Sequence, residues 1–160
     1  TMESRISVQL EHRIGSENLV FFMIDLDNFK EVNDNLGHAY GDRVLTETAE
    51  KIKQVFPSNA LIGRLGGDEF AVFAGFDAFD LDNLTEYMIQ KGEQLCQGLK
   101  AEYANGDHVV EVSASIGIAS APTDGEDFMS VYQKADKALY LSKRSGKDRY
   151  NLFQHSAADE

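Results

Sequence analysis

The chain has 160 residues, the length of one domain, and its 42% hydrophobic and 10% aromatic content with only two prolines can fill a core and excludes disorder. Fifteen basic against 27 acidic side chains leave a formal net charge of −12. That balance argues against broad binding to nucleic acid or to an anionic membrane, although clustered carboxylates can still reach phosphates through metal ions.

Ile6, Leu10 and Ile14 recur at four-residue spacing and predict a helix over the first dozen residues, where Glu3, Arg5, Glu11 and Arg13 interrupt the apolar stretch a signal peptide needs. Leu19 to Ile24 is a short unbroken apolar run rich in Val, Phe and Ile, which predicts a buried strand. At six residues it falls far short of the roughly 20 that cross a bilayer. Asp25-Leu26-Asp27-Asn28 ends it with turn-forming side chains. A short helix is predicted from Phe29 to Leu36 with Gly37 as its stop, and a longer one from about Gly41 to Phe56, closed by Pro57. Val44, Leu45, Thr48, Ile52 and Val55 give the longer helix its apolar face.

Ala60 to Leu65 and Glu69 to Ala74 flank Gly66-Gly67-Asp68, a hairpin pattern. Leu84, Met88, Leu95 and Leu99 mark a helix from about Leu81 to Tyr103, followed by an Asn105-Gly106-Asp107 turn. In the next strand Val110, Val112, Ala114, Ile116 and Ile118 share one face, and Glu111, Ser113, Ser115 and Gly117 the other. Phe128, Val131, Tyr132, Ala135, Ala138 and Leu139 predict a last helix stopped near Gly146, and Tyr150 to Phe153 a terminal strand. No repeat or linker divides residues 1–160, so one α+β domain is expected, a sheet covered by helices. Neither a G-x-G-x-x-G turn nor a G-x-x-x-x-G-K-[ST] loop is present. The lone Cys96 can form neither an internal disulfide nor a cysteine-based zinc site and favours a reducing compartment.

Two acidic clusters carry the chemistry. Asp25 and Asp27 end the first strand on one face, and Asp68 and Glu69 occupy the hairpin turn. If the hairpin pairs beside the first strand, the carboxylates converge. Magnesium needs such hard oxygen ligands, few from protein and the rest from water and phosphates, and two ions can stabilise the attacking and leaving oxygens of phosphoryl transfer. Each cluster by itself is ordinary, since Asp after a strand usually caps or turns and Gly-Gly-Asp is usually only a turn.

Together they belong to a series of motifs in fixed order. These are Asp25-Leu26-Asp27-Asn28-Phe29-Lys30, Asn33-Asp34, Gly37-His38, Gly41-Asp42, Arg64-Leu65-Gly66-Gly67-Asp68-Glu69-Phe70, Ser115-Ile116-Gly117 and Ala135-Asp136-Lys137-Ala138-Leu139-Tyr140. From about Ser4 to Phe153 the chain resembles the GGDEF domain of diguanylate cyclases, which make cyclic di-GMP from two GTP. The resemblance implies an α+β fold with a palm-like, antiparallel-rich central sheet, of the nucleotide cyclase and polymerase palm type. It implies a cytoplasmic domain, either free or as the cytoplasmic part of a membrane-anchored parent, with no nucleic-acid partner and no direct membrane contact. It also implies two Mg2+ or Mn2+ ions per half-site, held by Asp25, Asp68, Glu69 and the Leu26 carbonyl. Asp68 or Glu69 would accept the proton of the attacking 3′-hydroxyl, with Asp68 preferred.

By the same resemblance the backbone N–H groups of Asn28, Phe29 and Lys30 suit the β- and γ-phosphates at a helix start, and the Lys30 side chain offsets charge in the transition state. Asn33 and Asp42 match the guanine-reading positions; relatives that accept ATP typically have Ser in place of Asp42. His38 is either a structural residue of the helix–helix turn or a ligand contact. Lys143 and Lys147 match the cationic phosphate contacts, although the second is commonly Arg in the family, so its bidentate fork is lost.

Two departures stand out. The family's opening Asp-x-Leu-Thr-x-Leu-x-Asn-Arg motif is not found ahead of Met2, so the expectation is an excised catalytic module whose upstream sensor or regulatory domain is unseen. The inhibitory Arg-x-x-Asp pair is replaced by Pro57 and Ala60, so product feedback through that site is not expected. Catalysis would need a transient antiparallel homodimer, each protomer bringing one GTP. The competing expectation is a GTP-binding regulatory module that controls a tethered domain.

Overall fold

Hydrophobic residues on both sides of one strand organise this molecule. The computed structural model describes residues 18–56, 60–76, 81–121, 124–125 and 127–153. The helix expected over the first dozen residues lies outside them. In chain order the elements are β1 (Asn18–Asp27), α1 (Phe29–Leu36), α2 (His38–Val55), β2 (Ala60–Gly66), β3 (Glu69–Phe76), α3 (Leu81–Leu99), β4 (Ala101–Asn105), β5 (His108–Ala121), α4 (Phe128–Arg144) and β6 (Arg149–Leu152).

The strand order is β2-β3-β1-β5-β4, with β6 also pairing to β5. Every pairing is antiparallel except β5 with β6. Alternate residues of β1 feed two cores. Val20, Phe22, Ile24 and Leu26 join Val32 and Leu36 of α1, Val44 and Ile52 of α2, and Leu84, Met88, Leu95 and Leu99 of α3. Leu19, Phe21 and Met23 join Phe128, Val131, Ala135 and Leu139 of α4. The Phe21 ring stacks on Phe73 at 4.5 Å between centroids. Each such fully buried side chain contributes about 1.5–3 kcal/mol, so the acidic end of β1 rests on a stiff support.

The second helix begins at His38, ahead of the expected Gly41, and the largest boundary difference from the sequence reading is at the third helix. The third helix stops at Leu99, and Tyr103 belongs to β4. Tyr103 continues the four-residue spacing of Leu95 and Leu99, so periodicity alone extends the helix. Tertiary pairing decides otherwise: Ala101–Asn105 zips against Val112–His108 around the 106–107 turn, and the buried Tyr103 ring sends its hydroxyl to Glu47 of α2 at 3.0 Å. The predicted two-face pattern of β5 holds, but its small and polar face is largely covered by α4. Ser113, Ser115 and Gly117 are all buried.

Gly117 marks where α4 touches the sheet. A Cβ there would collide with the carbonyl oxygen of Ala135 and the amide nitrogen of Leu139, both backbone atoms of α4. Backbone cannot rotate aside, so the helix would have to move. Gly117→Ala is expected to cost about 2 kcal/mol through overpacking and to lower Tm by roughly 5 °C. A melt matching the parent would show that α4 is not packed this closely.

Candidate active site

The end of β1 and the β2–β3 turn meet through backbone register. Asp25 lies opposite Glu69, and the Leu26 N–H donates to the Asp68 carbonyl at 3.1 Å. Pairing beside β1 therefore gathers Asp25, Asp68 and Glu69, as their strand-end positions suggested. α4 brings the cation: Lys143 Nζ lies 2.6 Å from Asp25 Oδ2. These groups open onto a cleft of about 430 Å³ lined by Asp25, Glu69, Asp136, Lys137, Leu139, Tyr140 and Lys143.

Electrostatics mark the cleft as short of positive charge. Burial pushes the Asp25 carboxyl up to about 6; the hydrogen bond from Lys143 opposes this, and the charges of Asp68 and Glu69 add to it. Burial also raises Glu69, helped by Asp68 and Asp136. Burial works against the charge on Lys143, but the bond to Asp25 and the charges of Asp25, Asp27 and Asp68 outweigh it and raise that group. Asp25 is 8% exposed, and its Oδ1 is buried with no hydrogen-bond partner among the described residues. Such an orphaned carboxylate oxygen is costly unless a cation or donor meets it.

Among the described residues, no three His, Cys, Asp or Glu side chains form a finished metal cage. A finished cage is not what magnesium requires, because waters and phosphate oxygens complete its octahedron. The orphaned Asp25 oxygen, with Glu69 opposite and Asp68 beside, fits a divalent cation in the open cleft.

Asp27 does not share this role. It is 2% exposed and turned into the protein, where the hydroxyls of Ser113 and Ser115 and the Asp148 N–H donate to it. The convergence expected of both β1 aspartates holds only for Asp25.

The phosphate-binding candidates lie at the start of α1. Asn28 takes a left-handed conformation at φ +67°, and its side chain donates to the Glu111 carbonyl at 3.0 Å instead of capping the helix. The first intrahelical bond runs from the Val32 N–H to the Asn28 carbonyl. The Phe29, Lys30 and Glu31 amides thus have no acceptor within the helix, which suits an anion. The Lys30 side chain is exposed.

The guanine-reading candidates face the junction of α1 and α2. Asn33 is half-buried, with its Oδ1 against Gly41, and Asp42 is exposed in the next position. A Cβ at Gly41 would strike that Asn33 oxygen, so the glycine is what lets the Asn33 side chain lie against α2. His38 begins α2 and is exposed. Lys147 is exposed in the turn after α4, at φ +65°. Its backbone N–H donates to the Ser142 carbonyl, and among the described residues no contact joins it to the Asp25 cluster.

Lys143 was expected here from sequence, whereas its polar neighbours Asp136, Lys137 and Tyr140 were given no site role there. Asp136, Tyr140 and Lys143 fall at i, i+4 and i+7 on α4, with Lys137 beside them, so one helix face carries all the cleft's α4 polar groups. That spacing was a usable signal, masked by the apolar stripe that shares the helix.

The family model described as "Diguanylate cyclase, GGDEF domain" matches residues 1–149. The chain belongs to this family. The signalling protein YkoW of Bacillus subtilis is 37% identical over 94% of this chain and 18% of its own length. The bifunctional diguanylate cyclase/cyclic di-GMP phosphodiesterase MucR of Pseudomonas aeruginosa is 35% identical over 97% of this chain and 22% of its own length. The GGDEF domain thus spans about a fifth of either relative. The solved GGDEF domain of PA1120 (YfiN or TpbB) from the same organism superposes with a TM-score of 0.81 at 32% identity, covering 96% of this chain and 94% of that one. The mixed, mostly antiparallel sheet with its helices is the palm-type cyclase fold. No helix among the described residues is long and apolar enough to cross a membrane.

Proposed function

We propose that this GGDEF domain is a diguanylate cyclase, condensing two GTP into cyclic di-GMP with release of two pyrophosphates. The observation that carries the reading is the buried, unpartnered Asp25 oxygen opposite Glu69, at the mouth of a cleft that Lys143 also enters. Mg2+ or Mn2+, held by Asp25, the Leu26 carbonyl, Asp68 and Glu69, would neutralise the phosphates and polarise the α-phosphorus. The α1 amides of Phe29 and Lys30, together with Asn28, receive the β- and γ-phosphates. Lys30, Lys143 and Lys147 balance charge as pyrophosphate leaves. Asn33 and Asp42 hold guanine, with His38 at the edge of that pocket.

The 3′-oxygen of one GTP attacks the α-phosphorus of the other. The bond to pyrophosphate breaks, and the hydroxyl proton passes to Asp68 or, failing that, Glu69. One chain offers a single set of these groups, so two protomers must face each other antiparallel and repeat the step reciprocally. A domain upstream in a longer parent would control how often they meet.

MucR, named for two activities, favours a second reading: a GTP-binding module that regulates a tethered domain. Pyrophosphate release from GTP separates the two. The cyclase reading expects release whose specific activity rises with protein concentration, because half-sites must meet. No release from a concentrated, magnesium-saturated sample that binds GTP would overturn it in favour of the regulatory module. Constant specific activity over a wide dilution series would refute the transient dimer.

A further inference from the structure

Asp27 ends β1 two residues beyond Asp25 but faces inward and takes three donors. Ser113 Oγ donates to its Oδ2 at 2.7 Å, Ser115 Oγ to its Oδ1 at 2.7 Å, and the Asp148 backbone N–H to Oδ2 at 3.0 Å. The serines are supplied by the β1–β5 register, in which Asp27 lies opposite Ser113 and Asp25 opposite Ser115. The third donor comes from the turn between α4 and β6.

That turn follows a path most side chains avoid. Gly146, Lys147 and Asp148 have φ of +121°, +65° and +48°. Consecutive left-handed residues with side chains persist only where their surroundings over-determine them. The anchors are visible. The Lys147 N–H donates to the Ser142 carbonyl at 3.0 Å, the Asp148 carboxylate receives Lys100 at 2.9 Å, and the Asp148 N–H is held by Asp27. Ser142 is itself tied to the sheet, its hydroxyl donating to the Ile116 carbonyl at 2.8 Å. Lys143 follows Ser142 directly. Lys143 and Lys147 are thus carried by a segment whose far end is anchored in part by one buried carboxylate.

We propose that Asp27 is a positioning residue of the nucleotide site: through Ser113, Ser115 and the Asp148 N–H it holds the left-handed turn that carries Lys147 and ends α4 beside Lys143, and so sets where these cations meet the phosphates. This rests on the nucleotide reading above. It differs from a metal-ligand role, because both Asp27 oxygens already have protein donors. It also predicts which replacement is tolerated. Asparagine can keep its carbonyl toward Ser113 and the Asp148 N–H, while its amide donates to a rotated Ser115 hydroxyl. Alanine keeps none of these bonds.

The test measures GTP affinity in magnesium by calorimetry, KM and kcat per folded molecule, and hydrogen exchange at the Lys147 and Asp148 amides, in Asp27→Asn and Asp27→Ala. Asp27→Ala should weaken GTP binding and raise KM about tenfold or more, the usual effect of losing a group that orients a ligating side chain. Exchange at both amides should accelerate, with kcat changing less than KM. Asp27→Asn should stay close to the parent. A fall in Tm alone, with GTP affinity unchanged in Asp27→Ala, makes the residue merely structural and overturns the proposal. Equal damage in Asp27→Asn overturns it too, since charge and not geometry would then matter. If Asp27→Ala does not fold, the double variant Ser113→Ala with Ser115→Ala replaces it, and unchanged GTP affinity there counts against positioning. A parent that binds GTP without turnover would sink the cyclase reading while the affinity ratios still decide this one; a parent that binds no GTP overturns both.

Discussion

Asp25→Asn and Asp68→Asn are each expected to lower pyrophosphate release on the order of a thousandfold, the scale of removing a main electrostatic stabiliser from a transition state. The amide keeps the shape of the side chain but not the charge that a hard divalent cation requires. Neither change should unfold the protein. The bond that ties Asp68 to β1 uses its backbone carbonyl, which the substitution leaves in place. Asp25 holds its charge against burial, with its carboxyl pushed up to about 6. A carboxyl raised on folding contributes stability below its unfolded value of 3.8, and that contribution is lost as pH rises through 6. At pH 8 Asp25→Asn is therefore expected to melt no lower than the parent when metal is absent. Loss of the Lys143 partner offsets part of any gain.

Thermal melts supply a readout apart from activity. Magnesium with GTP should raise the Tm of the parent by mass action and leave both variants nearly unmoved. Near-parent turnover in either variant, or an equal metal-dependent Tm rise in all three, would refute the metal assignment.

The parts of this site that were legible in sequence are those fixed by short chain segments. Asp25 follows an apolar run, Asp68 and Glu69 follow a pair of glycines, and antiparallel pairing of the two segments brings Asp25 opposite Glu69. The limits appear where chemistry depends on distant packing. Asp25 and Asp27 look alike along the strand, yet Asp27 is claimed by two serines of β5 and an amide from the turn before β6. The alternating pattern of β5 showed the serines facing away from the valines, but not that α4 would cover them. In the same way Tyr103 fits a helical period and a strand equally well, and only the pairing of β4 with β5 decides.

The second large expected effect concerns base selectivity. Asp42→Ser should reduce the preference for GTP over ATP on the order of a hundredfold in competition titrations. A carboxylate accepts two hydrogen bonds from guanine's ring N–H and amino group, and adenine presents no such pair. A site built to pair such groups rejects the analogue lacking them by 10⁴ or more when fully buried. Asp42 is exposed in the free domain, so water can stand in for part of that pairing, and the smaller figure is appropriate. Serine has a single hydroxyl that donates as readily as it accepts, and it discriminates against neither base. The geometry supplies an independent route to the same result. The Asn33 Oδ1 occupies the space that a Gly41 side chain would fill, so Gly41→Ala should displace the Asn33 amide and, on the base-reading role proposed for it, weaken GTP more than ATP while Asp42 stays in place. If both variants keep the parental GTP/ATP ratio, guanine is read elsewhere, and the junction of α1 and α2 serves only to pack the helices.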